Sequence, residues 1–136
     1  TYTSDCYRLN QTAKFDGTYN EEPCEIEITM VDFVETYYSS DYDQFVNEVT
    51  FDITNTGNIP VSVNAYRYFQ VYRNNYLVDF SGCNYLAELE TSNNLYGSIA
   101  PGRSMIISFI IPVEQYDYSI TEIQFMDIVF MYEYCE

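Results

Sequence analysis

The chain has no histidine and no tryptophan, and it sets only five basic residues, Lys14, Arg8, Arg67, Arg73 and Arg103, against 21 acidic ones. Without histidine the usual neutral-pH general base is missing, and serine or cysteine triads built on it are excluded. Zinc frameworks draw on paired cysteines and histidines at short spacings, and no C-x-x-C pair occurs here, so no structural metal and no cofactor are expected. The formal charge of −16 argues against nucleic acid and against anionic membrane surfaces, both of which are held by clustered Lys and Arg. No apolar run approaches the length of a membrane span, so no membrane insertion is expected. A carboxylate pair could still run glycoside hydrolysis, but among 21 acidic residues some pair meets the required separation by accident, so the chain reads as non-enzymatic.

What is present is a core. Hydrophobic residues make up 47% of the 136 residues, with 16 Tyr and 9 Phe, which fits one folded domain and excludes the composition of a disordered chain. Four cysteines, Cys6, Cys24, Cys83 and Cys135, stand at wide spacing. An even count of this kind suits an oxidising compartment and two disulfides. The expected pairs are Cys6 with Cys24, tying down the N-terminal segment, and Cys83 with Cys135, pinning the last residues. Asn10-Gln11-Thr12 is a glycosylation sequon.

Residues 1–23 are rich in turn formers and read as an extended N-terminal arm with at most one edge strand, and residues 24–136 as the sandwich domain. From Cys24, Ile26, Ile28 and Met30 alternate with Glu25, Glu27 and Thr29 as in a half-buried strand. Val31 and Phe33 then fall on the opposite parity, which predicts a bulge. Residues 35–44, ETYYSSDYDQ, read as a polar, tyrosine-rich loop or hairpin tip. Val49, Phe51 and Ile53 form the clearest strand, ended by Asn55-Thr56-Gly57-Asn58. Val61, Val63, Phe69 and Val71 share one parity while Tyr66, Tyr68 and Tyr72 share the other, and Asn74-Asn75 marks a tight reversal. Pro101-Gly102 suits a type II turn. Met105 to Ile111 and one long strand over 120–134 are apolar on both faces, so Ile106, Ile110, Met126, Ile128 and Phe130 would lie on surfaces that something must cover.

The runs VTFDITNTGNIPVSV, YFQVYRNNYLVDF, IAPGRSMIISFIIP and EIQFMDI, across residues 24–130, resemble a widespread family of secreted or lipid-anchored microbial domains of unknown function. The resemblance implies an all-β, immunoglobulin-like antiparallel β-sandwich in an extracytoplasmic setting. This chain differs from the lipid-anchored members in having no cysteine at its first residue.

Two surfaces stand out as sites of function. Tyr66, Tyr68 and Tyr72 would project from one strand face as a contact surface, since tyrosine supplies rigid amphipathic area at low entropic cost. Tyr37, Tyr38, Tyr42, Tyr116 and Tyr118 extend the supply. Asp41 and Asp43, flanked by Ser39, Ser40 and Gln44, offer alternating oxygen ligands of the kind calcium takes. The expected function is that of an extracellular or cell-surface structural or adhesive protein. It would assemble with its own copies as a filament subunit, residues 1–15 of the N-terminal arm or the C-terminal strand completing a neighbour's sheet, or else meet another cell-surface protein. The competing expectation is a monomeric recognition module for a glycan, a peptide or calcium.

Overall fold

Valine, phenylalanine and isoleucine at 49, 51 and 53 alternate with polar residues, and the strand they form runs through the middle of the molecule. A computed structural model describes residues 6–19, 21–40, 42–78, 96–113 and 121–132. In chain order the elements are β1 (Cys6–Tyr7), β2 (Thr12–Tyr19), β3 (Glu22–Ser39), β4 (Gln44–Asn55), β5 (Val61–Asn64), the single helical turn α1 (Ala65–Tyr68) and β6 (Phe69–Arg73). They are followed by β7 (Tyr76–Val78), β8 (Tyr96–Ile99), β9 (Ser104–Val113), β10 (Thr121–Phe125) and β11 (Ile128–Met131). The fold is all-β. One main sheet has the order β2-β3-β4-β9, the other β1-β11-β10-β6-β7, and β5 pairs with β8 in a short third ladder.

The two main sheets pack through their inner faces. Ile26, Ile28, Met30, Val49, Phe51, Ile53, Ile107 and Phe109 from the first meet Phe69, Val71, Ile123, Phe125, Ile128 and Phe130 from the second, all buried. Alternation sets which face is which: the register places Thr29 opposite Asp52 and Thr50 opposite Ser108 on the outer side. Parity fails after Met30, where the β3–β4 register shifts between Met30 and Asp32 as the sequence predicts, and again between Val34 and Tyr37.

The turns carry their chemistry visibly. Asn55 is fully buried and acts as a hub. Its Nδ2 donates to the carbonyls of Ile59 at 2.8 Å and Ile99 at 2.9 Å, and its Oδ1 accepts from the Gly57 amide at 2.8 Å. The Arg103 amide donates to the Ala100 carbonyl at 3.0 Å across Pro101-Gly102, with Gly102 at φ 78°, the conformation glycine supplies to a type II turn. Asn74 and Asn75, at φ 52° and 70°, close β6 onto β7 in two residues.

Four expectations need correction. The N-terminal segment is not an arm with one edge strand. β2 lies along β3 from Thr12 opposite Thr29 to Tyr19 opposite Glu22, and β1 runs parallel to β11 in the other sheet. Residues 61–72 are not one strand, because α1 carries the chain from the short ladder into the five-stranded sheet. The long C-terminal strand is a hairpin, with β10 and β11 joined at Met126-Asp127 and paired from Phe125 opposite Ile128 to Glu122 opposite Met131. Folding back in this way buries Ile128 and Phe130 between the sheets. Ile110 is buried as well and Met126 packs on the core, so Ile106 alone of the five is exposed.

The fourth correction concerns Cys24, which is a free thiol, 4% exposed, on the inner face of β3. Cys6 sits opposite Val129 at the edge of the other sheet. The two cysteines therefore belong to different layers, and no bridge joins them. Cys6 is disulfide-bonded to a partner outside the described residues, where Cys83 and Cys135 also lie. Burial raises the Cys24 thiol pKa by desolvation, which keeps the reactive thiolate scarce. Peptide mapping after alkylation is expected to find Cys24 unmodified in native protein and modified once urea unfolds it. Rapid native labelling would show that β3 opens at this point.

Candidate functional site

The end of the sandwich where β3 turns into β4 concentrates exposed tyrosine. Residues Tyr37 and Tyr38 pair with Val46 and Phe45 across the hairpin, and they remain 36% and 49% exposed. The Tyr38 ring meets Phe45 edge-on at 5.3 Å between centroids. Asp43, at φ 52°, makes the turn between the strands. Its carboxylate accepts a hydrogen bond from the Tyr38 hydroxyl, and the Glu48 carboxylate accepts one from Tyr37. Both phenols are thus pinned at their polar tips, and the rings are held outward. Tyr76, 77% exposed, and Leu77, 63% exposed, stand at the same end, just after the β6–β7 turn.

A buried polar network places this end. The Arg73 guanidinium, on β6, donates through Nη2 to Asn47 Oδ1 at 2.8 Å and through Nη1 to the Thr121 hydroxyl. Asn47, on β4, donates in turn to the Val34 carbonyl at 3.2 Å and the Thr36 hydroxyl at 3.1 Å. These are the residues at the second register shift of β3, directly before Tyr37. Arg73 and Asn47 are both buried, so the hydrogen bonds made by Arg73 Nη1 and Nη2 and by Asn47 act at low dielectric, where they hold a geometry firmly, while the buried Arg73 Nε makes none among the described residues. It ties the two sheets together beneath the tyrosines.

Electrostatics at Tyr38 are set by Asp43. The hydrogen bond to that carboxylate, with smaller desolvation and charge effects, raises the Tyr38 pKa above the usual phenol range. The sign follows: the protonated phenol is the bonded one, so the contact is intact below the ordinary phenol pKa and is lost as pH rises through the raised value. In a Tyr-ζ carbon NMR titration, Tyr38 is expected to ionise later than solvent-exposed tyrosines, and Asp43→Asn to bring it back toward them. An unchanged Tyr38 midpoint in that variant would remove Asp43 as the cause.

The residues expected to form sites are distributed differently. Tyr72 does face outward, opposite Glu122 and Leu77, with its hydroxyl 3.1 Å from Gln70 Oε1. Tyr68 does not: it is buried on α1, bonded to the Ser62 carbonyl at 2.7 Å, with its ring against Phe125. The Tyr66 side chain, Asp41, Tyr116 and Tyr118 lie outside the described residues. Asp43 is engaged by Tyr38, and among the described residues no three acidic or cysteine side chains converge as metal ligands. Asn10 is exposed at a turn after β1, its amide bonded to the Met30 carbonyl at 2.8 Å. A cleft of about 220 Å³ between Pro23, Cys24, Pro60, Val61 and Tyr68 opens elsewhere, near the β5 strand. Among the described residues, no helix is long and apolar enough to cross a membrane.

Comparison with known proteins finds likenesses of fold. No protein-family model matches the chain, and no curated protein matches it in sequence. Among solved structures it is similar to the yjhA protein of Bacillus subtilis, with a TM-score of 0.59 at 13% identity over 85% of this chain and 78% of that one. It is also similar to ycdA of Bacillus subtilis, a candidate lipoprotein, with a TM-score of 0.54 at 18% identity over 72% of this chain. It spans only 30% of the ycdA chain. At such identities the likeness is one of fold.

Proposed function

We propose that the protein is an exported, non-enzymatic recognition module of the cell exterior, immunoglobulin-like in architecture, that meets its partner with the tyrosine-bearing end of the sandwich. The observation that carries this reading is the pair Tyr37 and Tyr38: large rings left exposed, yet fixed by carboxylates and seated on a buried hydrogen-bond network. Pre-positioned tyrosine lowers the ordering cost of binding, which is how paratopes on other sandwiches gain affinity. Similarity in fold to a candidate lipoprotein supports the exterior setting. Assembly by strand donation draws less support, because the segment that would be donated already pairs within its own chain.

The test is a paired screen of native protein and a Tyr37→Ala/Tyr38→Ala variant on glycan and peptide arrays. Ligands bound by the native protein and lost by the variant, with an unchanged melting temperature, are the expected result. Ligands bound equally by both would move the site elsewhere.

A further inference from the structure

The same end of the molecule differs from the rest in charge. Of the five basic residues, Arg73 is buried beneath the site. Lys14 lies on β2 opposite Glu27, Arg103 follows the Pro101-Gly102 turn, and Arg67 sits on α1 before the start of β6, so all three belong to the opposite end of the sheets. Arg8 is the one exposed base at the tyrosine end, on the β1 edge of the five-stranded sheet, where its Nη2 donates to the Tyr132 carbonyl at 3.3 Å. From Val31 to Glu48, the half of the β3–β4 hairpin that carries Tyr37 and Tyr38, the described residues include the acidic Asp32, Glu35, Asp43 and Glu48 and no Lys or Arg. Acidic charge and exposed aromatic rings therefore coincide on a stretch of hairpin that has no base of its own.

On this basis, and resting on the recognition reading above, we infer that the occupant of the tyrosine end is a cationic polypeptide segment, bearing arginine or lysine side chains that lie over Tyr37 and Tyr38. The chemistry is complementary at each point. An aromatic face attracts a cation through its quadrupole, and a phenol whose hydroxyl donates a hydrogen bond to a carboxylate has a more electron-rich ring. Each phenol takes up one oxygen of its carboxylate, and a carboxylate has two, so Asp43 and Glu48 can still accept from a guanidinium or ammonium. A second copy of this chain, at −16, is repelled by the same field, and so is any anionic glycan. Long-range attraction from the whole surface would raise the association rate, whereas the tyrosines would confer the local specificity.

Calorimetric titration with an Arg/Lys-rich decapeptide and with its Glu-rich counterpart, at two salt concentrations, tests the inference. Native protein is expected to bind the basic peptide and not the acidic one, more weakly at high salt. Tyr37→Ala/Tyr38→Ala, which alters no charge, should weaken binding roughly tenfold, the loss of two cation–π contacts. Glu25→Gln/Glu27→Gln, which removes two charges from the other end of the sheet, should change it less than about twofold, since exposed charges beyond a Debye length are screened. Equal weakening in both variants, or none with the tyrosine pair, would reduce the effect to diffuse attraction and overturn the inference. Array ligands that depend on Tyr37 and Tyr38 but are neutral or acidic would overturn the cationic assignment and leave the recognition reading standing.

Discussion

Deleting residues 1–15 is expected to cost the protein its cooperative fold. The segment contributes to both sheets: Thr12 to Phe15 pair with Thr29 to Ile26, and Cys6 and Tyr7 pair with Val129 and Phe130. Ala13 is 1% exposed, Phe15 packs against the core, and the Tyr7 ring lies 5.9 Å from that of Phe130. Burial of each large side chain is worth about 1.5–3 kcal/mol. Losing two, together with the pairing that covers the outer edge of β3, removes on the order of 5 kcal/mol from a total that for such domains is roughly 5–15 kcal/mol. The Cys6 disulfide goes as well. Urea unfolding followed by circular dichroism should show a much lower midpoint or no transition. A truncated protein with the full-length midpoint would mean that the arm is dispensable to its own domain, and would return strand donation to first place.

That reversal of expectation has a physical cause. A strand at the edge of a sheet is half satisfied, so its sequence need not alternate cleanly: Thr12, Lys14, Asp16 and Thr18 are polar, and Gly17 interrupts the inner face. What marks β2 as part of the sheet is its partner, since Ile26 and Ile28 need cover, and pairing between distant segments is invisible to a local window. Lys14, the only lysine, sits on this edge with its Nζ 3.8 Å from Glu27, a placement that discourages further strands from adding there. Turns were legible where residue identity dictates conformation, as at Asn55-Thr56-Gly57, Asn74-Asn75 and Pro101-Gly102. The β10–β11 turn was not. Met126 takes φ 58°, which costs a residue with a Cβ about 1–2 kcal/mol. It is held there by a 3.0 Å hydrogen bond from its amide to the Tyr68 carbonyl and by packing of its side chain on the core. Nothing in the string FMDI announces that contact.

The site was half legible for a related reason. Parity across residues 61–72 holds only for an unbroken strand, and the helical turn α1 turns Tyr68 inward while Tyr72 stays outward. The sequence displays Tyr37 and Tyr38 but not their support, because Arg73 and Asn47 are 26 residues apart and meet only when the sheets pack. A lone arginine in a strand between Tyr72 and Asn74 looks like a solvated charge. Its burial is a tertiary event.

The second large effect is expected at Phe51. It lies at the centre of the aromatic core, fully buried, with ring centroids at 4.8 Å from Phe69, 5.1 Å from Phe130 and 6.1 Å from Phe109. Phe69 in turn contacts Phe109 at 5.2 Å and Phe125 at 4.9 Å, so rings from both sheets interlock about this one side chain. Phe51→Ala removes the transfer free energy of the ring and leaves a cavity that the surrounding rings, fixed by their own strands, cannot close. The expected cost is about 3–5 kcal/mol. Phe51→Leu, which keeps most of the volume, should cost less than half of that, because edge-to-face contacts contribute only about 0.5–1.5 kcal/mol beyond area. Urea midpoints for the two variants, at constant slope, measure both numbers. If alanine at 51 costs no more than leucine, the sheets must be able to collapse into the space, and the core is softer than its interlocked rings imply.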